Sequence, residues 1–322
     1  MSFSSSIKKD LSALVSESEN GKRAELSGII GSSAKITVDD KNRMTLLLTT
    51  ENPAVAGKIF KYIKKLYGIT PKINIVRTKK FKDHRAYHLS VEAPESVQKI
   101  LKDTRILKRN DQGQVFFANE VPKLFSSKQA FIKSYLRGVF LGCGSITNPE
   151  KNYHLELVSR QKNYLASVRE LFAHYDIKGN LIKRKSSYVL YIKESESITG
   201  FLGVIGAHKA LLEIENIKIV KEMRSDVNRQ VNCETANMNK TAAAAFEQLD
   251  NIRYIKERIG LQKLSKNLQQ MAEVRLNYPD LTIRELGEKM DPPVGKSGVY
   301  HRLKKLNEMA EDLRREEENR RG

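Results

Sequence analysis

Two apolar segments of this chain carry glycines at helical spacing. In the segment 134–147, SYLRGVFLGCGSIT, Gly138 and Gly142 are four residues apart and therefore share one face of a helix. Glycine inside a helix costs about 1 kcal/mol relative to alanine, so the spacing predicts that another backbone approaches this face closely. The predicted partner is the segment 24–36, AELSGIIGSSAKI, which contains Gly28 and Gly31.

The two segments belong to a long internal repeat. Leu26 and Leu136 lie 110 positions apart, and aligning them also aligns Gly28 with Gly138. The hydrophobic pattern after each segment predicts the same order of elements, which is a helix, two strands, a helix, two strands and a closing helix. In the first half these are a helix over 24–36, strands over 35–38 and 44–49, a helix from Pro53 to Gly68, strands over 72–78 and 84–92, and a helix over 94–103. In the second half they are a helix from Lys128, strands over 145–147 and 154–158, a helix over 161–175, strands over 178–184 and 188–193, and a helix over 195–205.

The C-terminal third has a purely helical pattern. Residues 207–230 predict a long helix, and an asparagine-rich patch over 228–237 predicts a hinge or domain boundary, with the asparagines in capping and turn roles rather than in base or phosphate contacts. A helix resumes from Thr241 to Ile259, and the mixed-charge segment beyond Glu308 predicts a fraying helix. The predicted segments are an N-terminal helix 1–20, halves 21–125 and 126–207, linker helices 208–260, a trihelical domain 261–310 and a charged tail 311–322.

The trihelical domain has the pattern of a helix-turn-helix. Thr282 and Glu285 form a predicted capping box, and the turn residues DPPVG at 291–295 precede a last helix that starts at Lys296. In such domains the last helix enters the DNA major groove. Its predicted DNA-binding residues are Lys296, Ser297, Tyr300, His301, Arg302, Lys304 and Lys305. The alternative is a solvated basic helix without a partner.

Composition narrows the class of partner. The 322 residues include 57 Lys and Arg against 38 Asp and Glu, a formal net charge of +19, which favours a polyanion such as double-stranded DNA. No apolar run reaches about 18 residues and no signal peptide is evident, so we expect a soluble, cytoplasmic protein without membrane contact. Two cysteines and the absence of zinc spacings predict neither a metal nor a cofactor, and a metal role for His84 and His88 is not favoured.

The paired glycine segments resemble the LAGLIDADG signature of homing endonucleases, whose two signature helices end beside the catalytic metals. The resemblance implies an α+β fold with two pseudo-symmetric αββαββα halves, followed here by a linker helix and the all-α helix-turn-helix. In that family an acidic residue near the end of each signature ligates a divalent metal, and Ser33 and Cys143 stand at those positions here. Neither replaces a carboxylate for a hard cation, so we expect no endonuclease activity.

The strands of the LAGLIDADG fold form a curved saddle that lies on DNA. Basic residues cluster in equivalent hairpins of the two halves, where they are either phosphate contacts or solvated turns. They are Arg77, Lys79, Lys80, Lys82 and Arg85 in the first half, and Lys183, Arg184 and Lys185 in the second.

Nearly the whole chain resembles the WhiA family of Gram-positive bacteria. The specific stretches are RGVFLGCGSITNPEKNYHLEL, NRQVNCETAN and LTIRELGEKMDPPVGKSGVYHRLKKL. The resemblance implies a DNA-binding transcription regulator tied to sporulation in filamentous actinobacteria, and to cell division and chromosome segregation in other Gram-positive species.

In a DNA-binding regulator of this kind, the saddle could also bind a protein partner. Two alternative functions remain open. The first is an active endonuclease that recruits metals through Asp39, Asp40 or Glu156. The second is an RNA-binding protein or an interaction scaffold.

Overall fold

The computed structural model describes residues 2–40, 43–78, 84–110 and 112–321. The chain divides into two compact units, Met1–Val220 and Lys221–Gly322. Each unit is described by itself below.

The first unit contains two four-stranded antiparallel sheets with helices on one side. Its elements are α1 (Phe3–Ala13), α2 (Glu19–Ser33), β1 (Lys35–Val38), β2 (Met44–Thr50), α3 (Pro53–Tyr67), β3 (Lys72–Thr78), β4 (His84–Val91), α4 (Pro94–Asp103), β5 (Leu107–Arg109), β6 (Val115–Phe117), α5 (Lys123–Ser126), α6 (Gln129–Cys143), β7 (Gly144–Ile146), β8 (Leu155–Ser159), α7 (Lys162–Ala173), β9 (Asn180–Arg184), β10 (Ser187–Ile192) and α8 (Ser195–Ile205). The helix α9 (His208–Arg258) begins in this unit.

The two sheets have the same topology. The strand orders are β1-β2-β4-β3 and β7-β8-β10-β9, with β1 and β7 directly following α2 and α6. Alternate side chains of the central strands are buried beneath the helices, for example Leu48 and Leu89 in the first sheet and Leu157 and Leu190 in the second. The predicted α+β fold with two pseudo-symmetric halves is confirmed. The β5–β6 hairpin and the short α5 between the halves were not predicted.

The helices α2 and α6 pack against each other through their glycines. A Cβ atom on Gly138 would overlap the carbonyl oxygen of Glu25, and one on Gly28 would overlap the carbonyl oxygen of Tyr135. On Gly142 it would overlap the hydroxyl oxygen of Ser32. The predicted close approach of two backbones is therefore confirmed, and it explains why glycine occupies these helix interiors.

A buried ion pair joins α1, α2 and α3. The Lys58 Nζ atom lies 2.5 Å from Glu25 Oε1, and both side chains are almost fully buried. Tyr62 donates a hydrogen bond of 2.8 Å to Glu25, and Lys58 also donates to the carbonyl oxygens of Leu11 and Leu14 at the end of α1. Burial lowers the pKa of Lys58, and the Glu25 carboxylate opposes that shift. This network joins α1 to α2 and α3 of the first half.

The second unit consists of the rest of α9 and a trihelical domain. After a short 3₁₀ turn (Leu261–Lys263) come α10 (Lys266–Asn277), α11 (Ile283–Glu288) and α12 (Lys296–Arg321). Their apolar side chains form a separate core that includes Met271, Leu286, Val299, Leu303 and Leu306. The predicted capping box of Thr282 and Glu285 is present at the start of α11.

Of the two interpretations of the asparagine-rich patch, the hinge is wrong, and the domain boundary stays a prediction. Helix α9 runs without a break from His208 to Arg258, so residues 228–237 are helical and their side chains are exposed. Each asparagine costs less than about 0.7 kcal/mol in a helix, whereas glycine and proline, which cost more, do not occur between 208 and 258. Adding one hydrogen bond per residue to an existing helix outweighs the small propensity cost of the asparagines.

The tail beyond Glu308 is helical as predicted, and its fraying stays a prediction, but it also contacts α9. Helix α12 continues to Arg321, and its last turns pack against the end of α9. Tyr254 donates a hydrogen bond of 2.8 Å to Glu317, and Arg314 donates to Asn251 at 2.7 Å and to Asp250 at 2.8 Å. The mixed charge of the tail supplies partners for a neighbouring helix, which the sequence pattern of one element does not reveal.

We expect Gly138→Ala to destabilise the first unit by about 3 kcal/mol, because the new methyl group forces the α2 and α6 backbones apart. For a unit of this size the thermal midpoint in calorimetry should fall by about 6–12 °C. Gly57→Ala is the matched control, since nothing lies within 4 Å of the added Cβ in α3. It should leave the midpoint unchanged or raise it slightly. Equal midpoints for the two variants would contradict the close contact.

Candidate nucleic-acid interface

The start of α12 presents a polar, basic surface. Lys296, Tyr300 and Lys304 follow one another at four-residue intervals along the helix and are exposed. Ser297, His301 and Lys305 form the adjacent exposed row, and the Tyr300 and His301 rings contact each other at 5.9 Å between centroids. Lysines supply charge for phosphates, and the hydroxyl and imidazole groups supply donors for base edges. These six residues are called the α12 surface below.

Arg302 lies apart from the α12 surface. It is half-buried, and its Nη1 atom is 3.8 Å from the sulfur of Met290, two residues after the end of α11. The structure thus brings together six of the seven residues predicted on this helix and places Arg302 on its side toward α11. Lys304 has an exposed carboxylate neighbour, Glu308, at 3.6 Å. Such surface pairs are worth at most about 1 kcal/mol, so Lys304 remains available for a phosphate.

Two contacts fix the segments on either side of α11, which packs against α12. A Cβ on Gly287 in α11 would overlap the carbonyl oxygen of Val294, so α11 and the turn pack directly against each other. The Arg275 side chain is only 3% exposed, and its Nη1 atom donates to the carbonyl oxygen of Leu281 at 2.7 Å. Burial lowers the pKa of Arg275. The sequence did not single out Arg275, because an arginine beside apolar residues normally extends into solvent.

The sheet of the second half carries a polar cluster on the face away from the helices. Arg184 donates two hydrogen bonds to Glu156, at 2.9 and 2.8 Å, and His154 Nε2 lies 2.7 Å from Glu156 Oε1. The bonds from Arg184 lower the pKa of the Glu156 carboxyl. Glu156 is therefore committed to two neighbours, and part of the charge of Arg184 is neutralised.

The other predicted basic residues do not all share this face. Arg77 and Arg85 are paired directly across β3 and β4, and strand alternation places them on the same side as the buried Leu89. By the same rule Lys183, paired with Tyr188, lies on the helix side of its sheet. Lys185 occupies the turn after β9 with a positive φ of 53°. Lys79, Lys80 and Lys82 lie outside the described residues, as do Lys41 and Asn42 of the first predicted hairpin turn.

Ser33 and Cys143 are the last residues of α2 and α6. The Ser33 hydroxyl donates to the carbonyl oxygen of Ile29 at 2.7 Å, so it serves its own helix. Cys143 is half-buried, and burial raises the pKa of its thiol to about 11. A neutral hydroxyl and a neutral thiol are poor ligands for Mg²⁺.

No group of three metal-ligating side chains occurs among the residues that the structure describes. Of the acids that could replace the missing pair, Asp39 accepts a hydrogen bond of 2.7 Å from Arg43 Nε, and Glu156 is held by Arg184.

The α1 helix places a cation near the ends of α2 and α6. A cavity of about 930 Å³ is lined by Lys8, Arg85, Glu51, Gly142 and Ser145, among other residues. The Lys8 Nζ atom lies 5.9 Å from the centre of the Phe140 ring, and burial lowers the pKa of this lysine. One carboxylate, Glu51, beside a lysine and an arginine is not the set of oxygen ligands that a divalent cation such as Mg²⁺ selects.

Comparison with known proteins gives one consistent family. The chain matches the WhiA N-terminal LAGLIDADG-like domain over residues 19–107, the WhiA LAGLIDADG-like domain over 132–224 and the WhiA C-terminal HTH domain over 227–310. It is 42% identical to the "Probable cell division protein WhiA" of Clostridium acetobutylicum, over 98% of this chain and 99% of that protein. The same name and identity apply to the relative from Thermoanaerobacter sp., over 98% of each chain.

A solved structure extends the similarity to the fold. Full-length DUF199/WhiA from Thermatoga maritima is 30% identical, with a TM-score of 0.59 over 97% of this chain and 99% of that one. Across the described ranges, no helix has both the length and the apolar composition needed to cross a bilayer.

We expect Cys143 to resist alkylation at pH 8, because a pKa of about 11 leaves only about 0.1% of its thiol as thiolate. Mass spectrometry after iodoacetamide treatment should show modification of Cys233, which is exposed on α9, well before Cys143. In denaturant both cysteines should react. Native Cys143 reacting as fast as Cys233 would contradict the environment described here.

Proposed function

Because the chain belongs to the WhiA family, we propose that it is a DNA-binding transcription regulator without nuclease activity, active in the cytoplasm at the nucleoid. The observation that carries the proposal is the α12 surface, where six polar or basic side chains are exposed on the helix that follows the turn. A helix presented in this way fits the B-form major groove, which is wide enough to admit it.

The biological role is inferred from the relatives. Proteins 42% identical over nearly their full length are named as probable cell division proteins. We infer that this chain controls genes required for cell division and chromosome segregation, and that relatives in sporulating actinobacteria control sporulation. The mechanism is differential affinity for a DNA sequence, added to a salt-dependent attraction between lysines and phosphates.

The absence of nuclease activity is supported by the ends of α2 and α6. Two-metal cleavage needs carboxylates that converge within a few ångströms of the scissile phosphate. Here those positions hold Ser33 and Cys143, and Lys8 and Arg85 line the neighbouring cavity.

The first unit has two surfaces that support additional contacts. On the sheet face away from the helices, Arg184 is available for a phosphate only when it releases Glu156. On the helical side, a groove of about 1010 Å³ between α1 and α3 has apolar walls that include Val15, Phe60 and Ile73. Lysines surround it: Lys9, Lys61, Lys64 and Lys65. Apolar walls with a basic rim suit an acidic, amphipathic segment of a protein partner better than they suit DNA.

We expect Lys304→Ala to weaken binding to any duplex and to reduce the slope of log affinity against log salt by about 1, since one phosphate contact is lost. Fluorescence anisotropy with a random-sequence duplex at several salt concentrations measures both quantities. His301→Ala should reduce occupancy at specific sites by about 10-fold in genome-wide mapping of bound DNA, because a donor to a base edge is lost.

Lys256→Ala is the matched control, since it removes the same charge from an exposed position of the second unit outside the α12 surface. It should change neither result. Arg184→Ala should have a smaller effect than Lys304→Ala. Unchanged binding by both α12 variants would refute the assignment, and preferential displacement by structured RNA would favour an RNA-binding role.

We expect supercoiled plasmid to remain intact after incubation with the purified chain and Mg²⁺ or Mn²⁺, because no carboxylate pair is available at the ends of the signature helices. Agarose electrophoresis separates nicked from supercoiled DNA. Nicking that disappears when Glu156 is changed to glutamine would establish the endonuclease alternative.

A further inference from the structure

The exposed middle of α9 carries an apolar stripe. Val220, Met223, Val227, Val231 and Met238 recur at intervals of three, four, four and seven residues, and each is between 45% and 72% exposed. At 3.6 residues per turn these positions lie within a sector about 80° wide on one side of the helix. Apolar side chains on one line of an otherwise solvated helix indicate an interaction surface.

The charges of this segment argue against nucleic acid as the partner. Between 221 and 247 the helix carries four basic and four acidic side chains, so its net charge is zero in a chain whose total is +19. Binding to DNA draws its affinity from an excess of cations, which is missing here. The four basic residues are Lys221, Arg224, Arg229 and Lys240, and the four acidic ones are Glu222, Asp226, Glu234 and Glu247.

Two charged residues flank the line through Val220 and Met238, one on each side. Arg224 lies about 40° from the line of Val220 in one direction and Glu234 about 40° in the other. In the part of the chain that the structure describes, Arg224 has no ion-pair partner, and Glu234 accepts a hydrogen bond from Gln230 at 3.1 Å. The two side chains are ten residues apart, about 15 Å along the helix, and cannot pair within one copy.

We propose that α9 pairs with the α9 of a second copy, antiparallel, about a two-fold axis beside Arg229. In this register, residue n of one helix faces residue 458 − n of the other. Val227 then faces Val231, and Val220 faces Met238. The same register brings Arg224 of each copy opposite Glu234 of the other, so both apolar and ionic contacts are made twice.

Parallel pairing does not share these properties. In register it places Arg224 opposite Arg224 and Glu234 opposite Glu234, and like charges at such positions repel each other. The sequence of the stripe is thus self-complementary in one orientation, as a two-fold interface requires. A second copy of this chain is therefore the partner that the pattern fits.

The length of the contact sets its strength. Residues 220–238 span about 28 Å of helix, so the pairing belongs to the small class of interfaces that bury less than about 1,200 Å² in total. The dimer is expected to be weak and to depend on concentration. If the proposed DNA binding is correct, such a dimer presents two α12 surfaces to one duplex and favours sites with two half-sites.

Sedimentation equilibrium of the full chain, without DNA, tests the pairing up to about 200 µM, where an interface of this size should be populated. Arg224→Glu and Glu234→Arg should each weaken dimerisation at least 10-fold. The double variant with both reversals should recover most of the association, because each reversed residue again faces an opposite charge. Lys240→Glu, on the opposite side of the helix, is the matched control and should dimerise normally.

Circular dichroism verifies that each variant keeps its helices. A natural chain that is monomeric at the highest concentration would overturn the proposal. So would a double variant that dimerises no better than the single ones. The measurement contains no DNA, so its failure would leave the DNA-binding proposal untouched, and a chain that does not bind DNA could still dimerise.

Discussion

Direct contact between the backbones of α2 and α6 is the constraint on which the first unit depends. The carbonyl groups of Glu25 and Tyr135 occupy the space where Cβ atoms of Gly138 and Gly28 would be. Two helices that approach this closely leave no room for larger side chains between them, so each sheet packs on its own side of the pair. The first strand of each sheet, β1 or β7, directly follows one helix of the pair. The contact also brings the last residues of both helices, Ser33 and Cys143, to equivalent places in the two halves.

A scaffold of this kind keeps its shape when the chemistry at the helix ends is lost. The glycine contacts lie inside the helix pair, whereas the metal-ligating positions lie at the ends and contribute little to packing. At the positions of the signature acids this chain has a serine that bonds to its own helix and a half-buried cysteine, and the glycine contacts between the helices are intact. The ion pair of Lys58 and Glu25 adds a further contact, because Lys58 also bonds to the end of α1 and so joins that helix to the first half.

Most of the fold could be predicted from the sequence, because glycine spacing and alternating hydrophobicity are both patterns within short segments. Glycine spacing identified the helix pair, and alternating hydrophobicity identified the eight strands of the two main sheets. The prediction failed where the structure of a segment depends on contacts with other elements or on the rest of a long helix. The asparagines at 228–237 have weak helix propensity, yet the helix continues through them, and the charged residues beyond Glu308 find partners on α9. The roles of Arg275 and of the Glu25–Lys58 pair were also beyond reach, because contacts that bury a charge join residues distant in sequence.

We propose two tasks for one chain, which are DNA recognition by α12 in the second unit and a LAGLIDADG-like scaffold without metal-dependent cleavage in the first. A crystal structure of the full chain bound to a duplex, grown with Mg²⁺, is the most direct measurement of that claim. It should show the first turns of α12 in the major groove and no divalent ion between the ends of α2 and α6. A magnesium ion held there against a DNA phosphate, with α12 away from the duplex, would contradict it.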